Sequence, residues 1–494
     1  MTAQLASTPG LCDGARSFVA RGLAGHVIDG VTVESRDAAT IDVIDPSTGL
    51  VVMRSARAAA PDVDAAVGAA RRAFDDGRWS DLAPSERERV LRRFAELIEA
   101  RTADLADLDS LDAGVLSKWC SYIVGFTVGA IQYNAGWPTK IEGTIPPVGT
   151  DFTVLQQKAP VGVVAAIMPW NGPTAVWAGV SAALAAGCTI VLKPAEQTPM
   201  TATYIGELAQ LAGFPAGVVN VLHGDAVAGT ALVTHPGVDA ISFTGSADTG
   251  RRIAAAAAPT LKKVSLELGG KSPFIVFDDA DIEAASAGAM SSVWGNSGQV
   301  CTAGTRTLVQ RGVHDEFVAR LVRDSQNLTV GSAFDPSSDL GPLISRQQLD
   351  RVQGYIEIGQ REGADLLLGG VTAQSAGFLQ QPTIFAGVRN EMRIAQEEIF
   401  GPVMSVIAFD TEEEAYAIAN DTQYGLAAGV WTNNLARAQR AGAALRAGTV
   451  WVNSYQATNP AVSYGGWKQS GYGRNLGGAT VEEFTHLKSV WLAR

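Results

Sequence analysis

The sequence has little positive charge and few cysteines. Its 38 Lys and Arg residues are outnumbered by 50 Asp and Glu residues, which gives a formal net charge of −12. Because nucleic acids and anionic membrane surfaces bind basic faces, neither is an expected partner. The four cysteines, Cys12, Cys120, Cys188 and Cys301, have neither the spacing of a disulfide framework nor that of a zinc site. A reducing, cytoplasmic location without a metal site is therefore predicted.

The chain also lacks the marks of a secretory signal and of a membrane span. Residues 1–20 have no basic start and no continuous apolar run. Residues 161–192 contain no charged residue, and this length raises the possibility of a transmembrane segment. However, a Pro-Trp-Asn-Gly-Pro stretch at residues 169–173 interrupts the segment. This interruption favours a buried strand, a turn and a buried helix.

The pattern along the chain predicts two α/β units. A length of 494 residues with 47% hydrophobic residues is typical of a globular protein with more than one domain. Residues 86–110 have the apolar spacing of a helix, and from residue 161 short apolar runs alternate with helical segments. The predicted strands are Val161–Met168, Thr189–Leu192, Val218–Leu222, Ala240–Phe243 and Val264–Leu268, and the predicted helices are Ala175–Ala186, Thr201–Ala212, 226–234 and Thr249–Ala258. This alternation predicts a doubly wound parallel sheet. A second α/β pattern begins at Pro273–Phe277, so a domain boundary is expected near Glu267.

Two segments follow predicted strands at the edge where a parallel sheet binds nucleotides. Gly245 and Ser246 lie between a strand and a helix, so backbone amides and the helix dipole would face a pyrophosphate there. An ordinary turn in which Ser246 caps the helix explains the same residues. Lys193 and Glu196 follow another strand, where such sheets hold a ribose, although a solvated turn would have the same composition. Neither motif alone decides between these alternatives.

Two further residues have the chemistry of an active site. Glu267 closes an apolar strand, and Cys301 follows a helical segment within Gly298-Gln299-Val300-Cys301. A carboxylate at the end of a strand is often simply exposed. A lone cysteine is more often a packing residue than a nucleophile, which needs activation and an accessible site.

Taken in chain order, these segments resemble those of the aldehyde dehydrogenase superfamily. The segments that carry the resemblance are Pro169-Trp170-Asn171, Lys193–Pro199, the turn at Gly245, Glu267–Gly270, Gly298–Cys301, Glu397–Val403 and Tyr464–Gly471. They span nearly the whole chain, and together they are far more specific than any one of them.

The resemblance implies a fold of three parts. A Rossmann-like NAD-binding domain would comprise residues 1–138 and 160–266, and an α/β catalytic domain would comprise residues 267–477. A small β projection for oligomerisation would be built from residues 139–159 and 478–494. Because exposed strand edges normally pair with another subunit, a homodimer or homotetramer is expected.

The resemblance also assigns the catalytic roles. Cys301 is implied as the nucleophile that attacks a small-molecule aldehyde and becomes a thioester. The Asn171 amide, with the Cys301 backbone N–H, would hold the oxyanion. Glu267 is implied as the general base that activates water for hydrolysis, so the expected product is a free acid.

The cofactor site follows from the same resemblance. Glu398 and Phe400 are implied to hold the nicotinamide ribose and ring, and Lys193 and Glu196 to hold the adenosine ribose. Gly245, Ser246, Trp170 and Leu268 are expected to complete the site. A carboxylate at Glu196 accepts hydrogen bonds from ribose hydroxyls but repels a 2′-phosphate, so NAD is favoured over NADP, which some relatives with this Glu also use.

The chain departs from the family pattern in two places. Ala178 follows Trp177 where many relatives have Lys, and Asn475 follows Arg474 where Glu is common. In relatives this Lys and Glu form a charged pair behind the catalytic carboxylate, and because an unpaired buried charge is costly, losing both together is physically consistent. We expect the proton of Glu267 to leave by another route, through water. A shifted alignment without mechanistic meaning is the alternative.

The implied aldehyde tunnel includes Gly172, Trp177 and Tyr464. Gly172 stands where many relatives carry an aromatic residue, so a bulky hydrophobic or aromatic aldehyde is predicted. Two competing functions are a coenzyme A-acylating dehydrogenase, against which Glu267 argues, and a non-catalytic binding or structural protein. Retention of Cys301 and Glu267 together argues against the second, because a scaffold needs neither.

Overall fold

A computed structural model describes residues 10–373 and 376–494 of the chain. The largest sheet, which we call the first sheet, has eight strands, with five consecutive parallel strands at its centre. In spatial order its strands are Gly471–Tyr472, Lys263–Glu267, Ala240–Thr244, Val163–Ile167, Thr189–Lys193, Val219–Val221, His26–Ile28 and Val31–Val33. The predicted doubly wound parallel sheet is confirmed, because each of the strands predicted between residues 161 and 268 lies in it.

The order of the central strands reverses beside Val163–Ile167. From this strand the chain passes to Thr189–Lys193 and Val219–Val221 on one side, and then to Ala240–Thr244 and Lys263–Glu267 on the other. In open α/β sheets, ligands bind at such a reversal, outside the carboxyl ends of the strands. The residues that follow Ile167 and Thr244 therefore line a natural binding crevice.

A second sheet of seven strands is formed by the following part of the chain. Its strands, in spatial order, are Asp365–Leu368, Thr383–Ala386, Val403–Phe409, Arg306–Gln310, Pro273–Val276, Ala427–Trp431 and Thr449–Val452. All neighbours are parallel except the first pair. Two smaller sheets join Leu23–Ala24, Val51–Ala56 and Thr40–Ile44, and Thr485–Ala493 with Phe152–Pro160.

Helices cover both faces of the two large sheets. The α-helices are Asp13–Val19, Ala60–Asp75, Pro84–Glu99, Thr102–Ala113, Ser117–Ala135, Val176–Ala186, Met200–Ala212, Ala226–Thr234, Ala247–Ala257, Ile282–Trp294, Arg311–Ser325, Arg346–Arg361, Arg393–Gln396, Glu412–Asn420, Leu435–Ala444 and Gly477–Glu483, and the 3-10 turns are Pro138–Lys140, Ala258–Thr260, Gly295–Gly298 and Lys468–Ser470. The helical spacing of residues 86–110 belongs to two helices, because Arg101 leaves the helical conformation with φ −115° and ψ 20°.

The uncharged segment 161–192 lies in the core of the first sheet. Val163–Ile167 and Thr189–Lys193 are buried throughout, and the helix between them packs its apolar side chains into the same core. Among the described residues, no single helix is long and apolar enough to cross a membrane. One helix pair, Thr102–Ala113 with Ser117–Lys140, meets the test of length and composition but is bent by 119°.

The predicted domain boundaries stay a prediction. The strand Gly471–Tyr472 comes from the segment assigned to the catalytic domain, yet it pairs antiparallel with Lys263–Glu267 in the first sheet. Residues near the end of the chain are thereby held against Glu267.

Candidate active site

Cys301 lies in a turn between the helix Ile282–Trp294 and the strand Arg306–Gln310 of the second sheet. The chain leaves this helix through Asn296 and Ser297, which both adopt positive φ, and reaches a half-buried Cys301. The Sγ atom lies 3.3 Å from Tyr464 Oη, within hydrogen-bond distance. Burial raises the pKa of the Cys301 thiol to about 11, and this hydrogen bond opposes the rise. The thiol is therefore protonated near neutral pH and needs a base before it can act as a nucleophile.

Asn171 brings the carboxyl end of Val163–Ile167 against the cysteine turn. Its Nδ2 atom donates to the Gln299 carbonyl over 2.9 Å, and its own carbonyl accepts from Asn296 Nδ2 over 3.1 Å. An amide nitrogen carries two hydrogens, and within residues 10–373 and 376–494 Asn171 Nδ2 makes only this one hydrogen bond, so its second donor stays available at the cysteine turn.

Glu267 ends its strand as a buried carboxylate. It is 4% exposed, and neither of its oxygens has a hydrogen-bond partner within residues 10–373 and 376–494. Burial raises the pKa of Glu267 well above its ordinary value, the Arg474 guanidinium opposes this rise, and the Glu483 carboxylate adds to it. Gly465 covers the carboxylate, since a Cβ atom there would lie 2.8 Å from Glu267 Oε1.

The electrostatics place Glu267, Cys301 and Tyr464 in one pocket. The Glu267 charge contributes to the raised pKa of Cys301, and both groups contribute to the raised pKa of Tyr464 after burial, its main cause. The thiol and the carboxylate that the sequence singled out, 34 positions apart by their numbers, are therefore close enough to interact.

Glu398 and Phe400 belong to a segment near Cys301, since the Glu398 charge also contributes to the raised pKa of that thiol. Glu398 Oε1 accepts from the Gly270 N–H over 3.2 Å, and burial raises the pKa of Glu398 to about 7. Phe400 has a φ of +61°, which is rare for a bulky residue, and its ring meets Trp170 edge to face with centroids 5.2 Å apart. The strained backbone fixes the direction of the Phe400 ring.

Sequence reasoning missed two residues that hold this segment in place. Gln348 Nε2 donates to the carbonyls of Ile399 (3.1 Å) and Phe400 (2.8 Å), and Arg351 Nη2 donates to the Glu398 carbonyl (2.6 Å). Both lie on the helix Arg346–Arg361, about 50 positions before the segment, and a polar residue on an amphipathic helix gives no signal of such a role.

Lys193 and Glu196 form a separate group at the end of Thr189–Lys193. The buried Lys193 Nζ lies 3.9 Å from Glu196 Oε2 and donates to the Pro194 carbonyl over 3.0 Å. Burial lowers the pKa of Lys193, while the Glu196 charge opposes this. The Glu196 side chain is 41% exposed, so it is accessible to a ligand.

The Gly245 turn lies beside Glu267 at the strand reversal. The Gly245 N–H donates to the Glu267 carbonyl over 3.0 Å, and Ser246 Oγ accepts from the Thr249 N–H over 3.3 Å. Ser246 thus caps the helix Ala247–Ala257, as the ordinary turn predicts, and its phosphate-binding role stays a prediction. Leu268 packs against Gly250 and its N–H donates to the Ser470 carbonyl over 2.9 Å.

The predicted tunnel residues have unlike surroundings. Trp177 is fully buried in the core, with its ring 5.6 Å from that of Phe94. At Gly172, by contrast, an added Cβ atom would meet only Ala175 Cβ, at 3.5 Å, so this position faces open space. Tyr464 contacts Cys301 directly. A tunnel role for these three residues stays a prediction.

The two departures from the family pattern lie at one place. A Cβ atom added at Gly179, the residue after Ala178, would lie 3.3 Å from Asn475 Oδ1. This contact is made at Gly179 and not at Ala178, so a shifted alignment stays the alternative prediction.

The fold and the pocket define a class of protein: a two-sheet α/β enzyme with a thiol and a carboxylate at the strand reversal. The family model of the aldehyde dehydrogenase family matches residues 32–490. Aldehyde dehydrogenase 1 of Tanacetum cinerariifolium is 44% identical over 467 residues, which are 94% of each chain. The chain belongs to the aldehyde dehydrogenase family, so the predicted family and the predicted class of enzyme are confirmed.

Two solved structures have the same fold. An NAD+ complex of aldehyde dehydrogenase from Bacillus cereus has a TM-score of 0.96 at 42% identity, covering 98% of this chain and 99% of the other. A mutant of the indole-3-acetaldehyde dehydrogenase AldA of P. syringae, in complex with NAD+ and IAA, has a TM-score of 0.93 at 42% identity, covering 95% and 97%. The predicted aldehyde dehydrogenase fold is confirmed.

Proposed function

We propose that the protein oxidises an aldehyde to a carboxylic acid with NAD, through a thioester on Cys301. The observation that carries this proposal is a thiol and a buried carboxylate without hydrogen-bond partners among the described residues, held in one pocket beside Tyr464. A spectrophotometric screen for NADH formation across small, aryl and long-chain aldehydes tests it, with the acid product identified. No NADH formation with any of them would contradict the proposal.

The first step begins when the Cys301 thiol loses its proton to water, and the resulting thiolate adds to the aldehyde carbon. A C–S bond forms, and the carbonyl electron pair becomes an alkoxide. The free amide hydrogen of Asn171 and the backbone N–H of Cys301 are the donors for this oxyanion. Losing one such donor typically costs about 10²–10³ in rate.

The residues around the strand reversal fit NAD. The Glu196 side chain is 41% exposed beside Lys193, so it is accessible to the hydroxyls of an adenosine ribose. Gly245 and Ser246 begin a helix whose N-terminus suits a pyrophosphate. Glu398, Phe400 and Trp170 would hold the nicotinamide end. When bound, NAD accepts the hydride that converts the alkoxide into a thioester.

Hydrolysis then depends on Glu267. A carboxylate whose pKa is raised by burial is a stronger base than an exposed one, so it can take a proton from the attacking water. Hydroxide adds to the thioester carbon, the C–S bond breaks, and the acid leaves with the Cys301 thiolate regenerated.

Replacing Glu196 by Gln should shift the cofactor preference toward NADP. The Glu196 carboxylate would repel a 2′-phosphate, and removing the like charge should raise the ratio of kcat/KM for NADP to that for NAD by roughly tenfold. Steady-state kinetics with both cofactors measure this ratio. The matched control is Glu207→Gln, which removes a carboxylate that is paired instead with Arg21. An unchanged ratio in Glu196→Gln would remove Glu196 from the ribose site.

Filling the space at Gly172 should discriminate against bulky substrates. We propose a hydrophobic or aromatic aldehyde because Gly172 has no side chain and has room for one, and the related protein of P. syringae is named for indole-3-acetaldehyde, which carries an aromatic ring. Gly172→Phe should lower kcat/KM for aryl aldehydes by roughly tenfold or more relative to acetaldehyde. Gly442→Phe, at an exposed helical glycine with open surroundings, is the control. Preference of the unaltered protein for acetaldehyde would contradict the substrate proposal.

The proposed assembly is a homodimer or homotetramer. Within the described chain, Thr485–Ala493 pairs only with Phe152–Pro160, and it carries the exposed apolar residues Leu487 and Trp491. Such an edge favours pairing with a second copy. Sedimentation as a monomer at micromolar concentration would contradict the proposal. A cytoplasmic location stays a prediction.

Release of a free acid distinguishes this function from coenzyme A acylation. A general base that activates water is needed only when water takes the acyl group. Glu267 is the residue that we assign to this role. Product analysis with and without coenzyme A decides between them: an acyl-coenzyme A product would overturn the hydrolytic step.

A further inference from the structure

One face of the strand Lys263–Glu267 carries a row of polar side chains. Successive side chains of a strand point to opposite faces, so Lys263, Ser265 and Glu267 share one face. Val264 and Leu266 point the other way, into an apolar cluster. Exposure decreases along the row, from the exposed Lys263 to Glu267 at 4%. The row therefore connects the surface with the buried carboxylate.

Glu483, the last residue of the helix Gly477–Glu483, faces this row. Its Oε2 atom accepts from Ser265 Oγ over 3.0 Å. Burial raises the pKa of Glu483, and Lys263 and Arg474 are the cations that oppose the rise. Lys263 is tethered to the same segment, because its Nζ donates to the Thr485 carbonyl over 3.3 Å.

Arg474 lies between the two carboxylates. An added Cβ atom on Gly465 would be 2.8 Å from both Arg474 Cδ and Glu267 Oε1, so these two side chains adjoin the same position. Arg474 Nη1 donates to the carbonyls of Gly466 (3.2 Å) and Gly473 (2.6 Å), and the Arg474 backbone N–H helps to lower the pKa of the Glu483 carboxylate. Cys301 and Tyr464 are the ionisable groups that face Glu267 from the pocket side.

The position of the family's charged pair offers no group that can take a proton in this chain. Ala178 is apolar, and the Asn475 amide is neutral and turned toward Gly179. A proton removed from water by Glu267 must nevertheless leave before the next turnover. Glu483 is a second carboxylate whose charge acts on Glu267, and it connects through Ser265 and Lys263 with the surface.

We propose that Glu483 and Arg474 serve as the proton-exit group of Glu267. In each turnover, one proton passes from the attacking water to Glu267, then through intervening water to the Glu483 carboxylate, and it leaves to solvent beside Lys263. Arg474 stabilises the ionised form of both carboxylates. Both are positioning residues that act through Glu267, and the inference rests on the proposed function.

The test compares Glu483→Gln with Glu482→Gln. Glu482 is the matched control, since it is adjacent, exposed and paired with Lys158 over 2.7 Å. Two quantities are measured: the pre-steady-state burst of NADH, which reports acylation, and kcat against pH, which reports hydrolysis. For Glu483→Gln we expect an intact burst and a kcat lowered by roughly tenfold. Glu482→Gln should leave both the burst and the pH profile of kcat unchanged.

The direction of the pH shift distinguishes a proton-exit role from a structural role. Removing the Glu483 charge favours ionised Glu267, so the acidic limb of kcat should move to lower pH. Arg474→Gln removes a cation and should move the same limb to higher pH, whereas Arg474→Lys should restore it. A structural defect would lower kcat in both variants without opposite shifts.

Three outcomes would overturn the proton-exit role: an unchanged limb in Glu483→Gln, an equal shift in Glu482→Gln, or shifts of one sign in both charge variants. Glu483→Asp keeps the negative charge, so the acidic limb of kcat should stay at the same pH. A shift of this limb in Glu483→Asp would also contradict the proposal. If Glu267→Gln retained full turnover, the proposed function itself would fail. The two failures are therefore distinguishable.

Discussion

Cys301→Ala should lower the rate of aldehyde oxidation by roughly 10⁴-fold or more, because the thioester cannot form without the thiol. Alanine removes the sulfur and adds no bulk, so the Tyr464 ring and the Asn171–Gln299 hydrogen bond should keep their places. NAD binding should persist, since the Lys193–Glu196 group lies at a separate strand end. The measurements are NADH formation and a fluorescence titration with NAD.

Cys12→Ala is the control for loss of a partly exposed thiol. Cys12 immediately precedes the helix Asp13–Val19, and its Sγ atom lies 3.0 Å from Asp104 Oδ1. Burial is the main cause of the raised pKa of the Cys12 thiol. This variant should oxidise aldehydes at the unaltered rate. Equal rates of NADH formation in Cys12→Ala and Cys301→Ala would exclude a covalent intermediate on Cys301. Another group would then be responsible for the observed oxidation.

The sequence was sufficient to predict the central strands and the order of the motifs. Each central strand is a short apolar run bounded by turn residues, and this local pattern survives folding because both faces of a parallel sheet are buried. The family motifs lie at the carboxyl ends of these strands, where Asn171, Lys193 and Gly245 are placed by the strands themselves. Local sequence therefore determines the frame of the site.

Contacts between distant segments could not be predicted from local sequence patterns. Tyr464 meets Cys301 across 163 positions, and Gly465 covers Glu267 because Gly471 pairs with that residue in the first sheet. Such contacts depend on how the end of the chain returns to the first sheet, which no local pattern encodes. The support of the Phe400 segment by Gln348 and Arg351 is of the same kind.

Apolar spacing also does not show where a side chain lies in the fold. The resemblance assigns Trp177 to the tunnel, which stays a prediction, and only the structure shows that its ring packs against Phe94 in the core. The apolar spacing of residues 86–110 predicts helix but does not show the break at Arg101, because the spacing continues on both sides of it.

The pocket disfavours the ionised form of both reacting groups. Burial raises the pKa of Cys301 to about 11 and raises that of Glu267 well above its ordinary range. Each negative charge disfavours the other. Glu267 can therefore be ionised most easily after the thiolate has been consumed in the thioester, when a base for water is needed.

Glu267→Gln should stop the reaction after the thioester has formed. Glutamine preserves the shape of the side chain but cannot accept a proton, so hydrolysis should slow by about 10²–10⁴-fold. Because acylation produces NADH before hydrolysis, the variant should release a burst of NADH stoichiometric with active sites and then nearly stop. Mass spectrometry of the quenched protein should find the acyl group on the peptide that contains Cys301.

The pH dependence of kcat tests the role of Glu267 in hydrolysis independently of the burst. In the unaltered protein, hydrolysis requires ionised Glu267, so kcat should rise with pH through a pKa above the ordinary carboxyl range and fall away below it. In Glu267→Gln this rise should disappear, leaving only the slow dependence on hydroxide. If the variant kept the rising limb, or if the burst vanished while slow turnover stayed linear, then Glu267 would act on the thiol of Cys301 rather than on the hydrolytic water.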